Sequence, residues 1–287
     1  MHRSLGRLAL LLLASTSVAL AQPGALVIVG GGAQPSSLVD EFVRLAGGPA
    51  RARIAVLAMA SASGERSGEA KAADLRARGA RADNRWVTRD AADQDSVVAL
   101  LDSVTGIWFG GGDQSRLADV LRGTRLERAI RARHAAGAVI GGTSAGAAVL
   151  SAVMITGREV RSTVNADTTQ DWTAVAAGSV ETTDGFGYVR EAIIDQHFLR
   201  RRRHNRLLSL VLERKEHLGV GIDEGTAVIV EPSGRWRIAG TSVVVIYDAR
   251  RAALTAPAHR LGVSGMTMHL LPAGSVFDPR TGVATLP

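Results

Sequence analysis

Ala138-Val139-Ile140-Gly141-Gly142-Thr143-Ser144-Ala145-Gly146-Ala147-Ala148-Val149-Leu150 is the stretch that decides the fold. An apolar run enters two glycines, Ser144 stands in a G-x-S-x-G turn, and small apolar residues follow, which is the strand–turn–helix setting of a nucleophile elbow. Glycines allow a turn too tight for larger side chains and leave the seryl oxygen exposed. The N–H of Ala145, at the start of the new helix, can then help bind an oxyanion. A serine in this place can also be a plain helix cap, but its position directly after a strand favours the nucleophile.

The rhythm repeats outward from this turn. Ala25–Val29 reads as a first strand running into Gly30-Gly31-Gly32, and Ser36–Ala46 carries Leu38, Phe42 and Leu45 at helical spacing. Further strands are expected at Ile54–Ala58, Arg85–Val87 and Gly106–Phe109, the last ending in Gly110-Gly111-Gly112. Strands alternating with helices predict an α/β fold, a mainly parallel sheet flanked by helices on both faces. In such sheets ligands bind beyond the carboxyl ends of the strands, so three glycine loops converge on one edge. Val228–Glu231 and Trp236–Ile238, joined by Pro232-Ser233-Gly234, predict a hairpin, with another strand at Ser242–Tyr247. Residues 157–187 read as an inserted excursion and the tail after Arg250 as peripheral.

At 287 residues and 46% hydrophobic, the chain suits one domain with a sizeable core. Arg3 and Arg7 precede the apolar run Leu8–Leu13, and Ala19-Leu20-Ala21 has the small-x-small pattern of signal-peptidase sites. Residues 1–21 are therefore expected to be a signal peptide and 22–287 a single catalytic domain, periplasmic or secreted, since the run is too short to anchor in a membrane. The formal net charge of +7 loses two units with Arg3 and Arg7, leaving a basic surface suited to acidic partners. Aromatics are 4% of residues and no basic tract interleaves them, which argues against nucleic acid.

With no cysteine in the chain, thiolate catalysis and a Cys-ligated zinc site are excluded. Gly30-Gly31-Gly32-Ala33-Gln34-Pro35 fails as a dinucleotide fingerprint because its third glycine position is Pro35 and Ala58-Met59-Ala60-Ser61 lacks the ribose-binding acid. No metal-ligand spacing is present either, so no cofactor and no metal are expected.

A seryl nucleophile needs a base and a group to orient it. His197 follows the strand-like Ala192–Ile194 in Asp195-Gln196-His197-Phe198, and Glu224 lies in Gly221-Ile222-Asp223-Glu224-Gly225-Thr226 just before another apolar strand. The order Ser, His, Glu differs from the Ser, Asp/Glu, His order of α/β-hydrolases. An ordinary esterase would instead use His259 or His269. Amides of Gly110–Gly112, Gly112 among them, can complete an oxyanion hole with Ala145, and Gln114 can hold a polar group of the substrate. Arg200, Arg201, Arg202, Arg203 and Arg206 crowd the start of an expected helix, where cations oppose the helix dipole unless an anion is near.

Taken together, GGGDQ (110–114), GTSAGA (142–147), DQHF (195–198) with its downstream arginines and GIDEGTA (221–227) resemble the cyanophycinase branch of the peptidase family that also contains the aspartyl dipeptidases. The resemblance spans roughly Leu26 to Tyr247. It implies a glutamine-amidotransferase-like, flavodoxin-like three-layer sandwich, with Ser144, His197 and Glu224 as nucleophile, base and orienting acid. It further implies that Gln114, Asp195, Gln196, Arg201, Arg203 and Arg206 contact substrate, and that the protein is a homodimer. Cyanophycinases release β-Asp-Arg dipeptides from the carboxyl end of an arginine-bearing poly-aspartate, whose carboxylates would suit the arginine cluster. Arg200, Arg202 and Asn205 depart from the usual pattern. The alternatives are an aspartyl dipeptidase and a binder of acidic peptides that does not turn them over.

Overall fold

Strand β1 (Leu26–Val29) is buried along its whole length because it lies inside a nine-stranded sheet with helices over both faces. The computed structural model describes residues 22–159, 175–255 and 261–287. The expected signal peptide, the middle of the 157–187 excursion and His259 fall outside the described residues. After β1 come α1 (Ser36–Leu45), β2 (Arg53–Leu57), α2 (Gly64–Ala77), β3 (Arg81–Asn84), α3 (Asp95–Ala99), β4 (Gly106–Phe109), α4 (Gln114–Leu121), α5 (Arg125–Ala135), β5 (Val139–Thr143) and α6 (Ala145–Ala148). Strands β1, β5, β4, β2 and β3 lie side by side in that order, all parallel.

Alternation along each strand divides the apolar residues between two cores. Val27, Val29, Ile54, Val56 and Trp108 pack under α1 and α2 with Leu38, Phe42 and Leu75. Leu26, Ile28, Leu57, Ile107 and Phe109 face the opposite way onto Leu117, Leu121, Ile130 and Ala147 of α4, α5 and α6. Three layers result, as the βα rhythm predicts.

The second half continues with β6 (Val153–Glu159), β7 (Val180–Asp184), β8 (Ala192–Gln196), α7 (His204–Glu213), β9 (Leu218–Ile222), β10 (Thr226–Val230), β11 (Trp236–Gly240) and β12 (Val243–Asp248). It ends with β13 (Ala253–Leu254), β14 (Val263–Ser264), β15 (Thr267–Pro272), β16 (Val276–Asp278) and β17 (Val283–Thr285). Beyond β1 the large sheet goes on as β10, β11, β16 and β17, each antiparallel to its neighbour. The expected mainly parallel sheet is thus a mixed one whose parallel half carries the elbow. Strands β15, β12, β9 and β8 form a second sheet in which only the β8/β9 pair is parallel. Its Val220, Ile222, Val244 and Ile246 join the core under α4–α6, while Ile193, Val245 and Tyr247 pack on Leu207, Leu210 and Val211 of α7.

Two expectations are corrected. The third strand is Arg81–Asn84 rather than Arg85–Val87, because an edge strand tolerates charge and only Ala82 of these four is buried. The tail after Arg250 is not peripheral: β15 joins the second sheet and β16 and β17 extend the first. Phe277 is fully buried there, its ring 5.7 Å from that of Trp236. Phe277→Ala should accordingly lose about 3–5 kcal/mol in urea denaturation, whereas a peripheral site would change stability by no more than about 0.5 kcal/mol.

Candidate active site

The elbow is built by close approach. A Cβ on Gly142 would collide with the carbonyl of Gly146, and one on Gly146 with the carbonyl of Phe109, so the turn packs flat against β4 only with hydrogen in both places. Ser144 pays for this with φ +53° and ψ −112°, outside the favoured regions for a side-chain-bearing residue. Its carbonyl accepts from the N–H groups of Ala147 and Ala148 at 2.9 and 3.0 Å, which starts α6. The Gly110–Gly112 loop lies alongside, with the Cβ position of Gly111 at 3.5 Å from Ser144 Cβ. Among the described residues, the amides of Gly112 and Ala145 donate to no protein group, so both remain available to an oxygen beside Ser144.

His197 Nε2 lies 3.0 Å from Ser144 Oγ, and His197 Nδ1 lies 2.6 Å from Glu224 Oε1. A carboxylate only accepts, so it holds a proton on Nδ1 and leaves Nε2 free to take the seryl proton. Gln196 Oε1 is a weaker second acceptor for Ser144 Oγ, at 3.3 Å. Burial pushes the imidazole pKa below its ordinary 6.5. The Glu224 hydrogen bond opposes that shift, and the positive charges of Arg201 and Arg203 reinforce it. A base neutral at physiological pH follows.

Sequence reasoning missed what holds this pair. The first glycine loop, set aside as a failed dinucleotide motif, packs directly on it: a Cβ on Gly31 would enter the His197 ring, and one on Gly32 would stand 2.8 Å from Glu224 Oε2. His197 N–H donates to the Gly30 carbonyl at 2.6 Å and Gly225 N–H to the Gly31 carbonyl at 3.0 Å. A glycine triplet at a strand end was the available signal; the residues it meets lie far along the chain. Asp223 was also missed. Its carboxylate accepts from the N–H groups of Leu199 and Arg200 at 3.1 and 3.0 Å and from Ser242 Oγ at 2.8 Å, fixing the turn that carries the arginines.

The residues expected to contact substrate separate into two groups. Asp195 and Arg206, 1% and 3% exposed, form a bidentate ion pair, and Asp195 also accepts from Gln196 N–H at 2.8 Å. They are buried and bonded to each other at the strand end that carries Gln196, with Arg203 Nη1 3.5 Å from Asp195 Oδ1. Arg203 is held by the Gln196 carbonyl at 2.7 Å. Burial, with Arg206 and Arg201 nearby, brings its pKa down to about 10 against the pull of Asp195. Arg201 is exposed on the turn, its N–H donating to the His197 carbonyl at 2.9 Å. Gln114 is buried with Nε2 donating to the Ile155 carbonyl at 2.8 Å, which ties α4 to β6. Of the alternative bases, His269 stands in β15 with its ring 5.3 Å from that of Phe277 and has no bond to Ser144. Among the described residues no group of three or more His, Asp or Glu converges as metal ligands would.

Residues 26–235 match the model of peptidase family S51. A cyanophycinase of Synechococcus elongatus is 35% identical over 199 residues, 67% of this chain and 58% of the relative. One of a Nostoc species is 34% identical over 195 residues, 66% and 62% of the two chains. The chain thus spans about three fifths of the length of these relatives. Among solved structures, a peptidase from an acI-B1 actinobacterium superposes with a TM-score of 0.65 at 22% identity, covering 89% of this chain and 97% of its own.

Two outcomes follow from the geometry. Asp195→Ala leaves Arg206 as a buried unpaired cation and should cost about 3–5 kcal/mol in urea denaturation. Labelling of Ser144 by a fluorophosphonate should depend on neutral His197, with its acid limb below pH 6.5. In Glu224→Gln the limb should move lower still, since Glu224 is what raises the imidazole pKa, and labelling should slow by roughly a thousandfold or more through loss of the tautomer. A limb above pH 6.5 in the native protein would contradict this assignment.

Proposed function

The chain belongs to peptidase family S51, and on that premise we propose that it is a serine exopeptidase of cyanophycinase type, releasing β-Asp-Arg dipeptides from an arginine-bearing poly-aspartate. The observation that carries the reading is the line Glu224–His197–Ser144, with contacts of 2.6 and 3.0 Å beside two uncommitted amides. His197 Nε2 takes the hydroxyl proton of Ser144 as Oγ attacks an aspartyl carbonyl of the backbone. The carbonyl oxygen, now negative, lies toward the amides of Gly112 and Ala145. Collapse breaks the peptide bond, the leaving amine takes the proton from His197, and water, activated by the same imidazole, frees the acyl group. Glu224 keeps the imidazole in one tautomer and stabilises its cation.

Arg201 and Arg203 supply the substrate preference in this reading. Both stand close enough to His197 to depress its pKa, and a carboxylate bound between them would relieve their mutual repulsion and form charge-assisted hydrogen bonds. Arginines on the turn, together with about 35% identity to cyanophycinases, favour the polymer.

The deciding assay is dipeptide release from insoluble cyanophycin. The native chain should liberate β-Asp-Arg, and Ser144→Ala should lower release by roughly a millionfold in kcat while still sedimenting with the polymer. Cleavage of aspartyl dipeptides without attack on the polymer would move the assignment to the dipeptidase branch. Export belongs to the same proposal and rests on the N-terminal sequence. Protein recovered outside the cytoplasm should begin at Gln22; a chain found only in the cytoplasm with Met1 retained would refute export.

A further inference from the structure

Trp86 is a large aromatic side chain left 40% exposed on a chain whose aromatics are only 4% of residues. It sits just beyond β3, at the carboxyl edge of the sheet that also carries Ser144. The ring is seated rather than loose: a Cβ on Gly64, the first residue of α2, would run into the indole. Two adjoining depressions of about 430 and 420 Å³ share Trp86 and Ala62 as a common wall. Glu65 and Arg66 line the first, and Arg89 and Arg116 the second.

The second depression lies next to the glycine loop that borders Ser144. Asp113 N–H donates to the Ala60 carbonyl at 2.9 Å, and Arg116 Nη1 reaches the same carbonyl at 3.3 Å, so the end of the Gly110–Gly112 loop is tied to the segment whose Met59 and Ser61 line the second depression. Arg89 is tied to the Asp119 carbonyl, whereas Arg66 makes no ion pair among the described residues. Strands β5, β4, β2 and β3 are consecutive neighbours, so Trp86 lies three strand spacings from Ser144, roughly 14 Å. That span matches about four extended residues at roughly 3.3 Å each.

We infer that this groove is a remote subsite that holds the polymeric substrate about four residues away from the bond being cut. The inference rests on the exopeptidase reading above and adds where the rest of the chain goes. Its occupant is a chain bearing both guanidinium and carboxylate groups. The indole face accepts a guanidinium by cation–π attraction and Glu65 reinforces it, while Arg66 and Arg116 meet carboxylates. A purely acidic chain would leave Trp86 and Glu65 without use, and a purely basic one would be repelled by three arginines. Long substrates thereby gain affinity that short ones cannot reach.

The test compares soluble β-Asp-Arg oligomers of two and six repeat units. In the native enzyme kcat/KM should rise with length, and Trp86→Ala should cut the six-to-two ratio roughly tenfold. Trp86→Phe, which keeps an aromatic face, should retain most of it. Arg66→Glu should lower the same ratio, with the loss fading at high salt, and it serves as the readout should Trp86→Ala fail to fold. An unchanged ratio in both variants, or equal losses on both oligomers, would overturn the groove and leave the exopeptidase reading standing. A native enzyme that turns over neither oligomer would overturn that reading itself.

Discussion

The hydrogen bond from His197 N–H to the Gly30 carbonyl, 2.6 Å long, ties the edge of the four-stranded sheet to the middle of the nine-stranded one. Gly30 ends the central strand of the large sheet and His197 ends the edge strand of the small one. The contact is close enough that His197 is carried at φ +49° and the glycines beside it have no room for side chains. Both outer contacts of the imidazole depend on this seam. Move the seam by an ångström and the ring could meet Ser144 or Glu224 but not both. The site is therefore a property of how the sheets dock, more than of any one loop.

A buried charge pair supports that seam from below. Asp195 immediately precedes Gln196 and His197, and its bidentate bond to Arg206 fixes the strand end to the first turn of α7. Such a pair adds little net stability against an apolar substitute but tolerates few alternative arrangements, since each partner is costly when unpaired. It also settles an electrostatic problem. Several arginines stand near an imidazole that must stay neutral; Asp195 pairs with the most deeply buried of them, Arg206, and also lies 3.5 Å from Arg203, while Arg201 faces the site exposed.

Much of this was legible in the sequence. Apolar runs ending in glycines marked β1, β4 and β5, because a buried parallel strand and the turn that follows it are both local signals. The chain order Ser144, His197, Glu224 by itself separates this arrangement from α/β-hydrolases. What escaped was decided by distance along the chain or by an edge. Arg81–Asn84 lacks an apolar run because it borders solvent, so the apolar Trp86–Val87 attracted the strand assignment. Phe277 looked like tail sequence because its partner, Trp236, lies forty-one positions upstream. Charge type is visible in Asp195 and Arg206, but their facing each other follows from which side of β8 and α7 they occupy.

The seam also sets when the chain can act. Ser144 and His197 are separated by 53 positions, and His197 and Glu224 by 27, while the last strands of the large sheet lie beyond residue 275. The sequence up to α6 holds the serine of the elbow but neither its base nor the residues that the first glycine loop grips. Without residues 197 and 224 in place, Ser144 is an ordinary hydroxyl with no base to activate it. The three side chains meet only where the second sheet docks on the first, so the site is complete only when both sheets are.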